Sequence, residues 1–141
     1  MRNLPPADFS RELLHHLHFL LQKKCQRKLS ESLVLILGVT LQPDGGEDAH
    51  PTVKELIHHL VNEGTIVSYN DPYVPYLRIE NTPLLSQGLF ESFLHQQDCV
   101  VILTPHRVYD WKYIVSHCEF VLDFAQAITF PAENVEYFHF R

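Results

Sequence analysis

The unbroken apolar run Leu33 to Leu37, set between Ser32 and Gly38, constrains this chain more than any other stretch. It is too short to cross a membrane, and a strand with no polar alternation is one buried on both faces. That predicts a mostly parallel sheet covered by helices on each side. A polar loop with Pro43, Asp44, Gly45 and Gly46 follows, and Pro51 then opens a helical pattern. Strand, loop and helix form the first half of a βαβ unit, and ligands of open α/β sheets bind in the crevice beyond the carboxyl ends of such strands. Thr40 to His50 is therefore where a site is expected. The loop has neither the G-x-G-x-x-G of a dinucleotide fingerprint nor the G-K-[S/T] of a phosphate loop, and it holds no lysine or arginine.

Upstream, Pro5, Pro6, Ala7 and Asp8 open a long helix in which Phe9, Leu13, Leu14, Leu17, Leu20 and Leu21 recur at three- and four-residue spacing. Lys23, Lys24, Arg27 and Lys28 crowd its last turns, where cations suit the negative end of the helix dipole. His15, His16 and His18 lie within it, but nothing nearby supplies the remaining ligands of a metal site. Downstream, Val53, Leu56, Ile57, Leu60 and Val61 give the helix from Pro51 one apolar face, with His58 and His59 partly exposed beside it and Gly64 closing it. Thr65 to Tyr69 predicts a second strand that stops at the turn Asn70-Asp71-Pro72. Tyr73 to Gln87, broken by prolines, reads as a loop excursion. A short helix around Leu89 to Leu94, a central strand Asp98 to Thr104, a helix Tyr109 to His117 with Trp111, Ile114 and Val115 inward, a strand Glu119 to Asp123 and an edge strand in N-V-E-Y-F-H-F complete the chain.

With 141 residues, 45% hydrophobic and 20% charged, the chain falls in the range of one ordinary soluble domain with one core. Its formal charge of −6 opposes nucleic acid and anionic membrane surfaces as partners. Cys25, Cys99 and Cys118 are an odd set at wide spacings, and Cys99 and Cys118 lie in or beside apolar runs, which predicts small buried residues in a reducing compartment and no disulfide or metal set. No charged-then-apolar leader and no stretch of about 18 apolar residues appears, so the expected localisation is cytoplasmic, with no membrane partner.

The G-V-T-L-Q-P-D loop after the first strand, the S-Y-N-D-P-Y-V-P after the second and the D-C-V-V-I-L-T-P-H-R-V-Y-D-W around the third together resemble the C-terminal, UDP-binding domain of the UDP-glucose/GDP-mannose dehydrogenases, nearest to members acting on UDP-N-acetylhexosamines. The resemblance covers about Ser32 to Pro131. It implies a three-layer, Rossmann-like α/β domain over 32–141, with helices on both faces of a mostly parallel open sheet. The segment 1–31, with its L-P-P-A-D-F-S-R-E-L-L, resembles the end of the family's long central helix, which takes part in dimerisation. Since the other helices that cover that helix in the family are not found here, the resemblance implies an apolar face open to self-association or a protein partner.

What the family does comes over only residue by residue. Family members typically carry a lysine that helps hold the nucleotide sugar where this chain has Gln42. Their D-D-x-R-E-S-P is here G-E-D-A-H-P, with Ala49 near the missing arginine. Their D-x-R after the fourth strand is here Asp123-Phe124-Ala125. Leu41, Gln42 and Ala125 are thus the expected nucleotide-sugar positions in degenerate form. Charge-assisted bonds contribute about 1.5 to 3 kcal/mol each, so losing such cations should weaken binding of a UDP-sugar by powers of ten. The family's enzymes are NAD-dependent UDP-sugar 6-dehydrogenases with an N-terminal cofactor domain and a thiol in a Gly-rich loop. Neither is recognisable in this chain, which predicts no catalytic residue and no cofactor for the chain alone. The expectation is a stand-alone, non-catalytic relic domain with weak or lost UDP-sugar binding that serves as an interaction module. The alternative is a separately encoded or truncated part of a working dehydrogenase that acts with an N-terminal Rossmann portion. A weaker third reading, a flavodoxin-like regulatory domain, requires acids clustered at strand ends, for which Asp71 and Asp123 are the candidates.

Overall fold

Leu33–Leu37 is strand β1, at the heart of a computed structural model that describes residues 9–138, apart from the side chains of Phe9 and Cys25. The proline opening before Phe9 and the last residues of N-V-E-Y-F-H-F lie outside the described residues. Helix α1 spans Phe9–Leu20 and runs into a π turn, Leu21–Cys25, which ends at Gln26 in left-handed conformation. The other helices are α2, Pro51–Asn62; α3, Glu91–Gln96; and α4, Trp111–His117. The remaining strands are β2, Ile66–Asn70; β3, Tyr76–Ile79; β4, Thr82–Leu85; β5, Cys99–Ile102; β6, Val121–Asp123; and β7, Val135–Tyr137.

Five strands form one sheet in the order β2-β1-β5-β6-β7, with every pairing parallel. The alternation of a buried strand decides the two layers that flank it. Val34 and Ile36 of β1, with Cys99 and Val101 of β5, join Leu56, Ile57 and Leu60 of α2 in one core. Leu35 and Leu37, with Val100 and Ile102, join Leu94, Ile114 and Val115 of α3 and α4 in the other. This is the expected three-layer, Rossmann-like arrangement. The register brings Leu37, Asn70, Ile102, Asp123 and Tyr137 level, so the carboxyl ends of all five strands form one edge. The chain leaves β1 for β2 on one side and returns to β5 on the other. The topological switch point is therefore between β1 and β5.

Three sequence expectations need correction. Tyr73 to Gln87 is not a loop excursion: β3 and β4 pair antiparallel across the Glu80-Asn81 turn, with Leu77 and Ile79 buried beneath. The two-residue period of Y-L-R-I is only four residues long, and the prolines that hide it are compatible with a small, edge-like ribbon, where Pro83 faces Arg78. Val61 is 48% exposed, because the buried stripe of α2 is narrower than its apolar composition. Finally, the apolar face of α1 is not open. Leu13, Leu17, Leu20 and Leu21 are buried in the same core as Val34 and α2. At about 1.5 to 3 kcal/mol per buried leucine, that docking is strongly favoured over leaving the face in water. His58 and His59 are partly exposed as expected, and Cys118 is buried, its thiol pushed up to about 12 by desolvation and so held inert.

Candidate functional site

At the switch point the β1 and β5 loops approach so closely that Gly38 is required. Its φ is +84°, and a Cβ there would lie 2.3 Å from the Thr104 side chain. Beyond that contact the two loops are bonded together. Leu41 N–H donates to Thr104 Oγ1 at 3.0 Å. Asp44 N–H donates to His106 Nδ1 at 2.9 Å. The Arg107 backbone N–H donates to Asp44 Oδ1 at 2.6 Å, and its Nε to Asp44 Oδ2 at 2.8 Å.

The β2 loop joins them through a buried carboxylate. Asp71 is 1% exposed; its Oδ2 accepts from Val39 N–H at 2.8 Å and from His106 Nε2 at 3.0 Å, while Oδ1 accepts from Tyr73 N–H at 2.8 Å. Because the Asp44 N–H points at Nδ1, that nitrogen accepts, and the ring proton is on Nε2 facing Asp71. The imidazole is thus neutral, and the contact is a hydrogen bond to a carboxylate, not an ion pair. Tyr73 and Tyr109 flank the ring at centroid distances of 4.9 and 5.7 Å. The Tyr109 hydroxyl, its pKa raised by burial and then by Asp71, donates to Asn70 O at 2.9 Å.

The expected site residues are spread along the carboxyl edge. Leu41 is 6% exposed, in left-handed conformation, with its side chain in the core. Gln42 is exposed, and its backbone N–H and C=O both meet Thr40 Oγ1. Ala49 is buried at the loop's end. Ala125 follows β6, so β5 separates it from β1 and the crevice between them, a displacement of about 10 Å at ordinary strand spacing. Asp123, fully buried, accepts from the N–H groups of Ala125, Ala127 and Ile128. Of the two strand-end acids, Asp123 shapes its own loop, while Asp71 ties its loop to those after β1 and β5.

Two acids of the β1 loop are paired. Asp44 and Asp48 do not stand bare against a ligand: Asp44 pairs with Arg107, and Asp48 Oδ2 lies 3.6 Å from Lys54 Nζ. The Arg107 backbone N–H, then its guanidinium, hold the Asp44 carboxyl below the usual carboxylate range. The switch point therefore does contain a cation, brought from the β5 loop and 90% exposed along its side chain. Sequence reasoning missed Thr104, His106 and Arg107 as site formers, although T-P-H-R stands within a motif it singled out, and it weighed Asp71 as a turn former and a strand-end acid but not as a buried link between loops. A cleft of about 640 Å³ lies at the opposite, amino-terminal edge, lined among others by Lys24, Arg27, Asp98 and Glu119. There Arg27 pairs with Asp98 at 3.1 Å, and the basic end of α1 is thus far from the crevice. Among the described residues no group of histidines, cysteines and acids could hold a metal ion, and no helix is long and apolar enough to cross a membrane.

Residues 35–135 match the family described as "UDP-glucose/GDP-mannose dehydrogenase family, UDP binding domain". No curated protein matches the chain by sequence. Among solved structures, a UDP-D-ManNAc dehydrogenase from Pyrococcus horikoshii superposes with a TM-score of 0.69 at 20% identity, over 94% of this chain and 30% of that one. An NDP-N-acetyl-D-galactosaminuronic acid dehydrogenase from Methanosarcina mazei Go1 gives 0.68 at 19% identity, over 94% and 29%. The UDP-N-acetyl-mannosamine dehydrogenase Cap5O from Staphylococcus aureus gives 0.64 at 14% identity, over 94% and 30%. At these identities the likeness is one of fold, and this chain spans less than a third of each of those proteins.

Proposed function

Because the chain belongs to the UDP-glucose/GDP-mannose dehydrogenase family through its UDP binding domain, we propose that it is a non-catalytic domain of that kind, with weakened UDP-sugar binding and a role as a binding or interaction module. One observation carries this reading. Where the resemblance calls for cations, Gln42, Ala49 and Ala125 are neutral, and the cation that is present, Arg107, is already bonded to Asp44. A diphosphate then meets no unengaged positive partner from these positions, and the net charge of −6 adds long-range repulsion. A protein partner would have to use what α1 leaves exposed, Phe19 among it, since its leucines are occupied.

The test is calorimetric titration of the 141-residue chain with UDP, with NADH production from UDP-sugars followed in parallel. Binding in the millimolar range or none, and no NADH, is the expected outcome. Micromolar binding or steady turnover overturns it. The alternative, one part of an NAD-dependent UDP-sugar 6-dehydrogenase completed by an N-terminal Rossmann portion, is favoured by one fact: the match covers 94% of this chain but about 30% of the solved dehydrogenases. Its mark is NADH production that appears only when such a portion is added.

A further inference from the structure

From the paired contacts of Asp44 with Arg107 we infer that Asp44 is an internal competitor for the anion site of this domain: its carboxylate occupies, at the switch point, the guanidinium that would otherwise take a phosphate of a nucleoside diphosphate. This rests on the reading that the crevice is a weakened nucleotide site. Arg107 directs two donors at one carboxylate, its backbone N–H at 2.6 Å and its Nε at 2.8 Å. That is the manner in which a backbone amide and an arginine together grip an anionic ligand. Asp44 is delivered to them under constraint. It has φ 60°, in the left-handed region, and its own N–H is fixed by His106 Nδ1, which the buried Asp71 orients in turn. The loop tip is thus aimed, while the Arg107 side chain it holds is 90% exposed and can be reached from solvent. An exposed pair of this kind contributes little to stability, so a ligand carrying more negative charge can displace it once the carboxylate is weakened.

Three substitutions separate this from simple relief of repulsion. Asp44→Asn keeps a residue that tolerates positive φ and an oxygen for the Arg107 backbone N–H, but removes the charge. Glu47→Gln removes the same charge from the same loop without touching Arg107. Arg107→Gln is added in the Asp44→Asn background. Titrated calorimetrically with UDP and with inorganic pyrophosphate, Asp44→Asn should bind about three- to fivefold more tightly than the unmodified chain, the most that release of an exposed ion pair allows. Glu47→Gln should gain less than about twofold, as expected of a screened solvent charge, and Arg107→Gln should erase the gain. If Asp44→Asn gains no more than Glu47→Gln while Gln42→Lys with Ala125→Arg does gain, the crevice reading stands and the competitor does not. A gain that survives Arg107→Gln also overturns it. If neither set of variants binds, the crevice reading falls and the competitor with it. Thermal melts monitor folding, and Asp44→Gly, suited to the same φ, replaces Asp44→Asn should that variant not fold.

Discussion

His106 uses both ring nitrogens on other loops: Nδ1 on the Asp44 N–H and Nε2 on Asp71, with no exposed surface. Removing it leaves a buried carboxylate short of one partner and a loop amide short of its acceptor. Asp71 keeps the N–H groups of Val39 and Tyr73, which limits the loss. His106→Ala is expected to cost roughly 3 kcal/mol, read from urea unfolding. Two other histidines set a pH dependence. Burial lowers the pKa of His16, against the opposing pull of Glu136 and with help from His15, and burial alone lowers that of His50. His50 also caps α2, its Nδ1 accepting from Thr52 N–H at 3.1 Å, while His16 Nε2 is buried without a hydrogen bond. A depressed folded pKa means that the unfolded chain binds protons first. The stability these groups confer is therefore complete above about pH 6.5 and falls as pH drops through their lower folded values. Urea midpoints measured from pH 7.5 to 5.5 should decline, and His50→Asn, which caps without titrating, should flatten the decline.

At the scale of elements, α1 and the β3-β4 hairpin show how packing settles what pattern leaves open. The periodic leucines of α1 were certain to seek cover, but whether that cover is another copy or the chain's own α2 is decided by geometry, and Leu13 and Leu17 are fully buried against it. Leu13→Asp should therefore unfold the domain, by several kcal/mol, and not merely disperse an oligomer. Phe19→Asp, at a position 55% exposed, should leave unfolding nearly unchanged. Circular dichroism with size-exclusion chromatography separates the two results. The hairpin was hidden because its strands, at four residues each, are too short for a two-residue period to stand out between Pro75 and Pro83.

For the whole molecule, charge is distributed against the crevice. Lys24 and Arg27 are placed at the amino-terminal edge of the sheet and paired there with Glu136 and Asp98. The long-range field at the carboxyl edge is thus left to an excess of acids. Gln42→Lys with Ala125→Arg should strengthen UDP binding, more at 20 mM than at 200 mM salt on the order of the Debye screening expected between them. Calorimetry at both ionic strengths checks this, and a gain independent of salt would mean that contact and not field is responsible. Since Ala125 is two strands from β1, the lysine should contribute more than the arginine.

Local periodicity and composition were enough to determine β1, β2, β5, the helix from Pro51 and the parallel, doubly covered sheet. These features depend on neighbours within one turn or one strand, where apolar spacing is a direct image of burial. The G-V-T-L-Q-P-D and T-P-H-R segments likewise carry the family in their own letters. Tertiary structure alone decided that His106 and Arg107 reach back across 62 and 63 residues to Asp44, that Asp71 is a buried anchor, and that α1 closes on its own core. Those contacts join residues from separate strand ends, and their partners are fixed only when the register of five parallel strands brings the loops to one edge.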